Sequence, residues 1–278
     1  MKHLCIIGNG FDLHHGISSS YNDYMNWLEI HYPSLYDEIT RTFIDAEQVS
    51  WWSDFEGHLA DVEYMYDLSI VVYPDYEVEG IEIKGTNSPE RLAALYKAIQ
   101  KTFAMWAGGL NNYLQKVQAD LKLDIDATYL TFNYTNTLQD VYHIPDNLVL
   151  HIHGKAKRGD NLIVGHGSKG DDFPVKQLEI VGFQKKPLRI GREIAILRKP
   201  VESIINANQL FFESLSNVEY ITVYGFSFSS IDMPYIKEIF THVKYNVKWH
   251  IHVRSIKEAE SIEEKEELTS LNADYILW

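Results

Sequence analysis

The sequence predicts an α/β fold, a mostly parallel sheet with helices on both faces and a mainly helical insertion at about residues 30–125. Three observations carry this. The apolar run His3–Ile7 stops at Gly8, as a buried strand running into a tight turn does. Strand-like runs return at residues 127–132, 148–153, 162–165, 220–224 and 247–253. Between them lie stretches with apolar residues at threes and fours, and strands alternating with helices favour parallel pairing. The 278 residues read as a single domain.

In chain order, Ser18-Ser19-Ser20 offers N-caps for a helix carrying Tyr24, Trp27 and Leu28. Ser88-Pro89 starts the clearest helix, an N-cap followed by proline at the first position. Leu92, Leu95, Tyr96, Ile99, Phe103, Trp106, Leu110, Tyr113, Leu114 and Val117 mark one long amphipathic element. Gly108-Gly109 is the place where it would bend. Residues 70–83 fit neither period. Residues 247–253 alternate, as a half-buried strand does, and residues 256–271 read as a solvated surface helix rich in Glu and Lys.

The formal net charge is −14. Basic stripes that could follow a phosphate backbone are not visible, which weighs against nucleic acid as a partner. It does not exclude a small anionic ligand, because backbone N–H groups bind phosphate without Lys or Arg. The 18 Tyr and 6 Trp argue against disorder. Cys5 is the one cysteine, so no disulfide forms within the chain; in its apolar run it reads as buried and inert. No signal-peptide pattern and no apolar run of about 18 residues is present, so the expectation is a cytoplasmic protein without a membrane partner.

Four motifs fall at predicted strand ends, where open α/β sheets bind ligands. Gly8-Asn9-Gly10-Phe11-Asp12 is a Gly-x-Gly turn after the first strand. Its glycines would let a pyrophosphate approach the backbone, although Leu13 stands where a dinucleotide fingerprint has its third glycine. The same turn is equally an ordinary strand-to-loop connection. Thr131-Phe132-Asn133-Tyr134-Thr135 and His151-Ile152-His153-Gly154 bring an amide and two imidazoles to neighbouring ends. Strand alternation would put His151 and His153 on one face, and either could be a core residue. No cysteine or third ligand joins them, so no metal is expected. Gly225-Phe226-Ser227, followed by Asp232, could hold a ribose or phosphate; Ser229 stands where a hydrolase nucleophile elbow needs glycine. A fifth motif, Trp51-Trp52-Ser53-Asp54-Phe55-Glu56, sets two carboxylates among aromatics; the roles of Asp54 and Glu56 stay open.

Together the motifs resemble the AbiH family of bacterial abortive-infection (anti-phage) proteins. The matching pieces are IIGNGFDLHHGISSSY at 6–21, WSDFE at 52–56, FNYTNTL at 132–138, HIHG at 151–154 and YGFSFSSID at 224–232. The same order also looks like the NAD-binding domain of sirtuin-type proteins, which implies a Rossmann-like, sirtuin-like core. That resemblance implies cofactor contacts from Gly8, Asn9, Gly10, Phe11, Asp12, Thr131, Gly225 and Ser227. It implies catalytic roles for Asn133, at the nicotinamide ribose, and His153. Thr135 departs from the pattern, where sirtuins usually have Asp. The four-cysteine zinc module is missing, which speaks against protein deacetylation.

In NAD the nicotinamide already carries positive charge and leaves neutral, so cleavage needs no general acid. It needs a stabilised oxocarbenium-like ribose and a placed nucleophile. Asn133 can donate and accept, and a neutral His153 can take a proton. The expectation is an anti-phage protein that binds NAD and hydrolyses its nicotinamide–ribose bond. The residues leave open a non-catalytic nucleotide-binding sensor, and less so a nuclease-type effector. They also leave open a homo-oligomer, a phage-derived trigger, and NADP or ADP-ribose in place of NAD. The charge alone generates one prediction. Duplex DNA at physiological salt should show no sub-micromolar, sequence-independent gel shift; such a shift would overturn the electrostatic reading.

Overall fold

The structure, a computed structural model, describes residues 2–62, 74–85, 88–156, 161–167, 191–269 and 271–278. Strand β1 (His3–Ile7) runs into α1 (Asn9–His14), α2 (Tyr21–His31), α3 (Pro33–Thr42), α4 (Val49–Ser53) and α5 (Phe55–His58). The hairpin β2 (Tyr76–Val78) and β3 (Ile81–Ile83) precedes the long α6 (Pro89–Leu110). Next come β4 (Thr128–Thr131), α7 (Thr137–Asp140), β5 (Val149–His151), α8 (Gly191–Ile194), α9 (Val201–Ala207) and α10 (Gln209–Glu213). Strand β6 (Tyr220–Tyr224), α11 (Met233–His242), β7 (Lys248–Val253), α12 (Ile256–Glu263) and β8 (Ala273–Leu277) complete the chain.

The chain divides into two compact units. The first takes Met1–Ser19, Ala107–Leu162 and Pro200–Trp278; the second takes Ser20–Trp106 and Ile163–Lys199. In the first unit six strands form one sheet in the order β5-β4-β1-β6-β7-β8, every pairing parallel. Numbering only the strands of this sheet, the order is 3-2-1-4-5-6, that of Rossmann-type sheets. β1 lies at the centre because Leu4, Cys5, Ile6 and Ile7 are all buried, so both of its faces are covered, as parallel strands require. Leu4, Cys5, Ile6 and Ile7 pair with β4 on one side and β6 on the other. Strand β7 alternates as expected, with Trp249, Ile251 and Val253 inward.

The second unit is held by its helices and by buried polar links between them. Ser20 caps α2 in a reciprocal capping box with Asp23. Tyr24 is fully buried, and its hydroxyl meets Thr102 Oγ1 on α6 at 2.8 Å. Arg91 grips Glu38 with two bonds of 2.6 Å, the fork geometry that suits guanidinium and carboxylate.

Several expectations change. The long helix passes through Gly108 and Gly109 to Leu110 and then tightens into a 3-10 helix over Asn111–Lys116. Residues 162–165 are not a strand; His166 makes only an isolated bridge with Arg198. The reason is Gly165, whose positive φ and close approach to the Leu197 carbonyl take the backbone out of a ladder. Of the ambiguous residues 70–83, those at 70–73 lie outside the described residues; the rest contribute the hairpin, turned at Glu79 and Gly80 with φ 51° and 80°. The surface helix stops at Glu263, and a short 3-10 turn at Glu266–Leu268 follows it. Strand β8 was not expected from sequence at all.

The topology generates a prediction at the junction of the two halves of the sheet. Gly225 has φ +58°, and a Cβ there would stand 2.4 Å from the Gly10 carbonyl carbon. Gly225→Ala should cost about 3 kcal/mol, from left-handed strain and the clash together. Thermal melts should show a drop of about 5 °C or more; an unchanged melting temperature would refute the close-approach reading.

Candidate active site

Parallel pairing aligns the carboxyl ends of the strands. Ile7 stands opposite Thr131 and Tyr224, and Thr131 stands opposite His151. The sequence motifs at residues 8–12, 131–135, 151–154 and 225–227 therefore leave one edge of the sheet together. The chain order reverses between β1 and β6, and ligands of such sheets bind at this switch point.

At the switch point the glycines face each other. The Gly8 N–H donates to the Tyr224 carbonyl at 2.9 Å and the Gly10 N–H to the Gly225 carbonyl at 2.9 Å. A Cβ at Gly8 would lie 2.5 Å from the Gly225 carbonyl oxygen, and one at Gly10 2.6 Å from Gly225 Cα. The two turns interlock backbone to backbone, and the N–H groups of the first serve carbonyls at the end of β6 and in the second. Phe11 is a core side chain packed with Cys5, Ile7, Tyr129, Leu138 and Tyr224. Asn9 is exposed; its amide donates to the Ser19 carbonyl at 2.9 Å and accepts from the Ser19 hydroxyl at 2.6 Å.

Asp12 is buried just below the turn. Its Oδ2 accepts from Thr135 Oγ1 at 2.6 Å and its Oδ1 from Thr137 Oγ1 at 2.7 Å. Thr135, where the sirtuin pattern has Asp, is thus a donor to a carboxylate already present on α1. Burial pushes the Asp12 carboxyl above its usual range, against the pull of Thr135, Thr137, His15 and Asn133.

Beyond β4, Thr131 Oγ1 accepts the Asn133 N–H at 3.1 Å. The Asn133 side chain is 6% exposed, and among the described residues neither its Oδ1 nor its Nδ2 has a hydrogen-bond partner. It favours the ionised form of Asp12 without a bond of good geometry. An amide orphaned in a protein interior costs about 1–3 kcal/mol for each unmet group, so it calls for an explanation.

His151 and His153 do different work. The strand ends at His151, and a turn closed by the Gly154 N–H on the His151 carbonyl at 3.1 Å takes over, with Gly154 at φ +93°. Strand alternation therefore does not govern His153, contrary to expectation. His151 Nδ1 donates to the Asn133 carbonyl at 3.0 Å, and its Nε2 meets the Gln139 amide at 2.9 Å. It ties the ends of β4 and β5 to α7. His153 is 2% exposed, with its ring centroid 5.4 Å from Phe132 and 5.5 Å from Tyr235. Its Nε2 lies 3.7 Å from Asp232 Oδ1. Ser229 Oγ donates to the other Asp232 oxygen at 3.1 Å. The sequence showed the YGFSFSSID motif but gave no sign that Asp232 and Tyr235 meet His153. Ser227 is exposed.

Two other constellations are structural. Cys5 Sγ, His3 Nε2 and Asp124 stand in line, with spacings of 3.3 Å and 2.8 Å. This looks like a nucleophile relay, but burial pushes the thiol far above its ordinary pKa, which disfavours the thiolate that a nucleophile needs. In the second unit, buried Glu56 accepts from Lys199 Nζ at 2.9 Å and from the Gly165 N–H at 3.0 Å. Asp54 is exposed, its carboxylate lying over Gly57. Among the described residues no group of three or more His, Cys, Asp or Glu could hold a metal, and no helix is long and apolar enough to cross a membrane.

Fold and edge define an α/β protein of the Rossmann-like class, with a buried histidine beside a half-buried aspartate and an unmet amide at the carboxyl end of its sheet. The family model described as "Bacteriophage abortive infection AbiH" matches residues 4–253, and the chain belongs to that family of phage abortive-infection proteins. No curated protein and no solved structure matches the chain.

Asp12 generates a pH prediction. Its folded-state pKa is raised, so its contribution to stability is present at low pH and is lost as pH rises through the folded value. Asp12→Asn keeps the shape and removes the titration. The variant should therefore gain on the wild type as pH rises from below the ordinary carboxylate range to neutral. Melting curves across that range check it; a constant difference would contradict the burial cost.

Proposed function

We propose that the protein acts in abortive infection by binding NAD at the carboxyl edge of the sheet and hydrolysing its nicotinamide–ribose bond. The observation that carries this reading is the buried Asn133 amide, unmet on both atoms, at the same edge as the His153–Asp232 pair. A ribose hydroxyl is a chemical match for such an amide, since it can donate to Oδ1 and accept from Nδ2.

In the reaction, the bond between ribose C1′ and the nicotinamide nitrogen breaks, and its electron pair neutralises the pyridinium. A water oxygen bonds to C1′, and His153 takes the water proton before releasing it to solvent. The products are nicotinamide, ADP-ribose and a proton. Asn133 holds the sugar while positive charge builds on it. Aromatic rings around His153 keep bulk water away and strengthen each polar contact. Both residues are buried, so the reading requires that the edge open to admit the substrate.

The reading rests on the ribose end. The N–H groups of Gly8 and Gly10 are already engaged, so the turn contributes close backbone approach and not free donors for the pyrophosphate. Gly225 shares that packing role, and Phe11 belongs to the core.

The test is nicotinamide release from NAD by purified protein. His153→Ala should lower it about 100-fold or more, the usual contribution of positioned acid–base catalysis, with nucleotide affinity kept within a few fold. Asn133→Ala should weaken binding as well as turnover. Full cleavage by a folded His153→Ala variant would remove this residue from the mechanism. A wild type inert towards NAD and NADP that still binds nucleotide would favour a sensor.

A further inference from the structure

We infer that Asp232 is the positioning partner of His153: it fixes the ring and stabilises the imidazolium formed when His153 takes a proton. The catalytic half of this inference rests on the proposed NAD cleavage; the electrostatic half does not.

The N-cap of α11 does not cap its helix. Asp232 is the N-cap residue of α11, a position where Asp normally accepts from the N–H groups of the first turn. Here its side chain makes no cap bond. One oxygen is instead held by Ser229 Oγ at 3.1 Å, while the other lies 3.7 Å from His153 Nε2. Ser229 is itself tied in, because its carbonyl accepts from the N–H groups of Asp232 at 3.0 Å and Met233 at 2.9 Å. The carboxylate is therefore turned towards the imidazole by its own tight turn.

The surroundings make the pair matter. The His153 side chain is 3% exposed and that of Asp232 15%, so water screens their interaction little. Among the described residues, the groups facing the ring are Asp232 at the N-cap of α11, Tyr235 from α11, and Phe132 and Tyr134 from the segment after β4. Of these, Asp232 is the one that bears a carboxyl group. An opposite charge within about 4–6 Å favours the charged form of its neighbour by roughly one to three pKa units. A distance of 3.7 Å is too long for a good hydrogen bond, which suits a contact that tightens once the ring is protonated.

The test uses the full chain and reads two things. The first is the titration of His153 by NMR, its signal identified by its loss in His153→Gln. Asp232→Asn should lower the His153 pKa by about one unit or more, and Ser229→Ala should lower it by less. The second is the pH profile of nicotinamide release. In Asp232→Asn kcat should fall about tenfold or more with KM little changed, and the acid limb should move to lower pH. A role in packing alone would leave that limb where it is. Thermal melts establish that the variants are folded; should Asp232→Asn fail to fold, Ser229→Ala gives the same titration with the same expected sign. An unchanged His153 pKa in a folded variant, or a ring that stays neutral across the stable pH range of the wild type, overturns the inference. A wild type without NAD cleavage sinks the proposed reaction, while the titration still decides the pair.

Discussion

The interlock of two glycine turns sets the rest of the sheet unit. Gly8 and Gly10 after β1, and Gly225 after β6, approach so closely that a single methyl group on any of them would collide with backbone. Two N–H to carbonyl bonds join the turns. This contact fixes the spacing of the two central strands at the point where chain order reverses. Everything placed at the edge depends on it: α1 leaves the turn at a defined angle, Asp12 reaches Thr135 and Thr137, and the segment after β6 delivers Asp232 to His153.

The polar groups at the edge then divide by how fully they are used. Asp12, His151 and Thr131 have their bonding needs met by neighbouring segments and act as ties between β1, β4 and β5. Asn133 is held through its backbone, with its amide left unmet. Ties built from satisfied groups give rigidity, and a rigid frame is what allows a neighbouring group to be kept in an unfavourable state. The aromatic wall of Phe132, Tyr235 and Phe226 completes the frame.

Much of this was legible in the sequence, in proportion to how local the cause is. The apolar run before Gly8, the Ser20 cap and the Ser88-Pro89 helix start act over a few residues, and each gives the expected element. The parallel sheet was legible from alternation of strands and helices. The hairpin at β2 and β3 was not, because its turn uses Glu79 at positive φ where Asn, Asp or Gly would signal it. Strand β8 hid because it is an edge strand with most of its side chains in solvent. At the edge, the motifs were visible but their division of labour was not. A Gly-x-Gly turn reads the same whether its N–H groups face a phosphate or another turn. Asp232 and His153 are far apart in sequence, and only the pairing of β6 beside β1 brings their segments together.

The buried pair of Glu56 and Lys199 has a consequence for the order of events during synthesis. The partners are separated by 143 residues, and a ribosome adding about 5–20 residues per second needs roughly 7–30 s to cover that stretch. Through that interval Glu56 has been made and its ammonium partner has not, so the second unit has a carboxylate but not yet its counter-charge. The sheet meets the same delay, since β1 is made first and its neighbour β6 follows even Lys199. The nascent chain thus carries its central strand half-paired until β6 has been made, some twenty residues after Lys199 has closed the second unit.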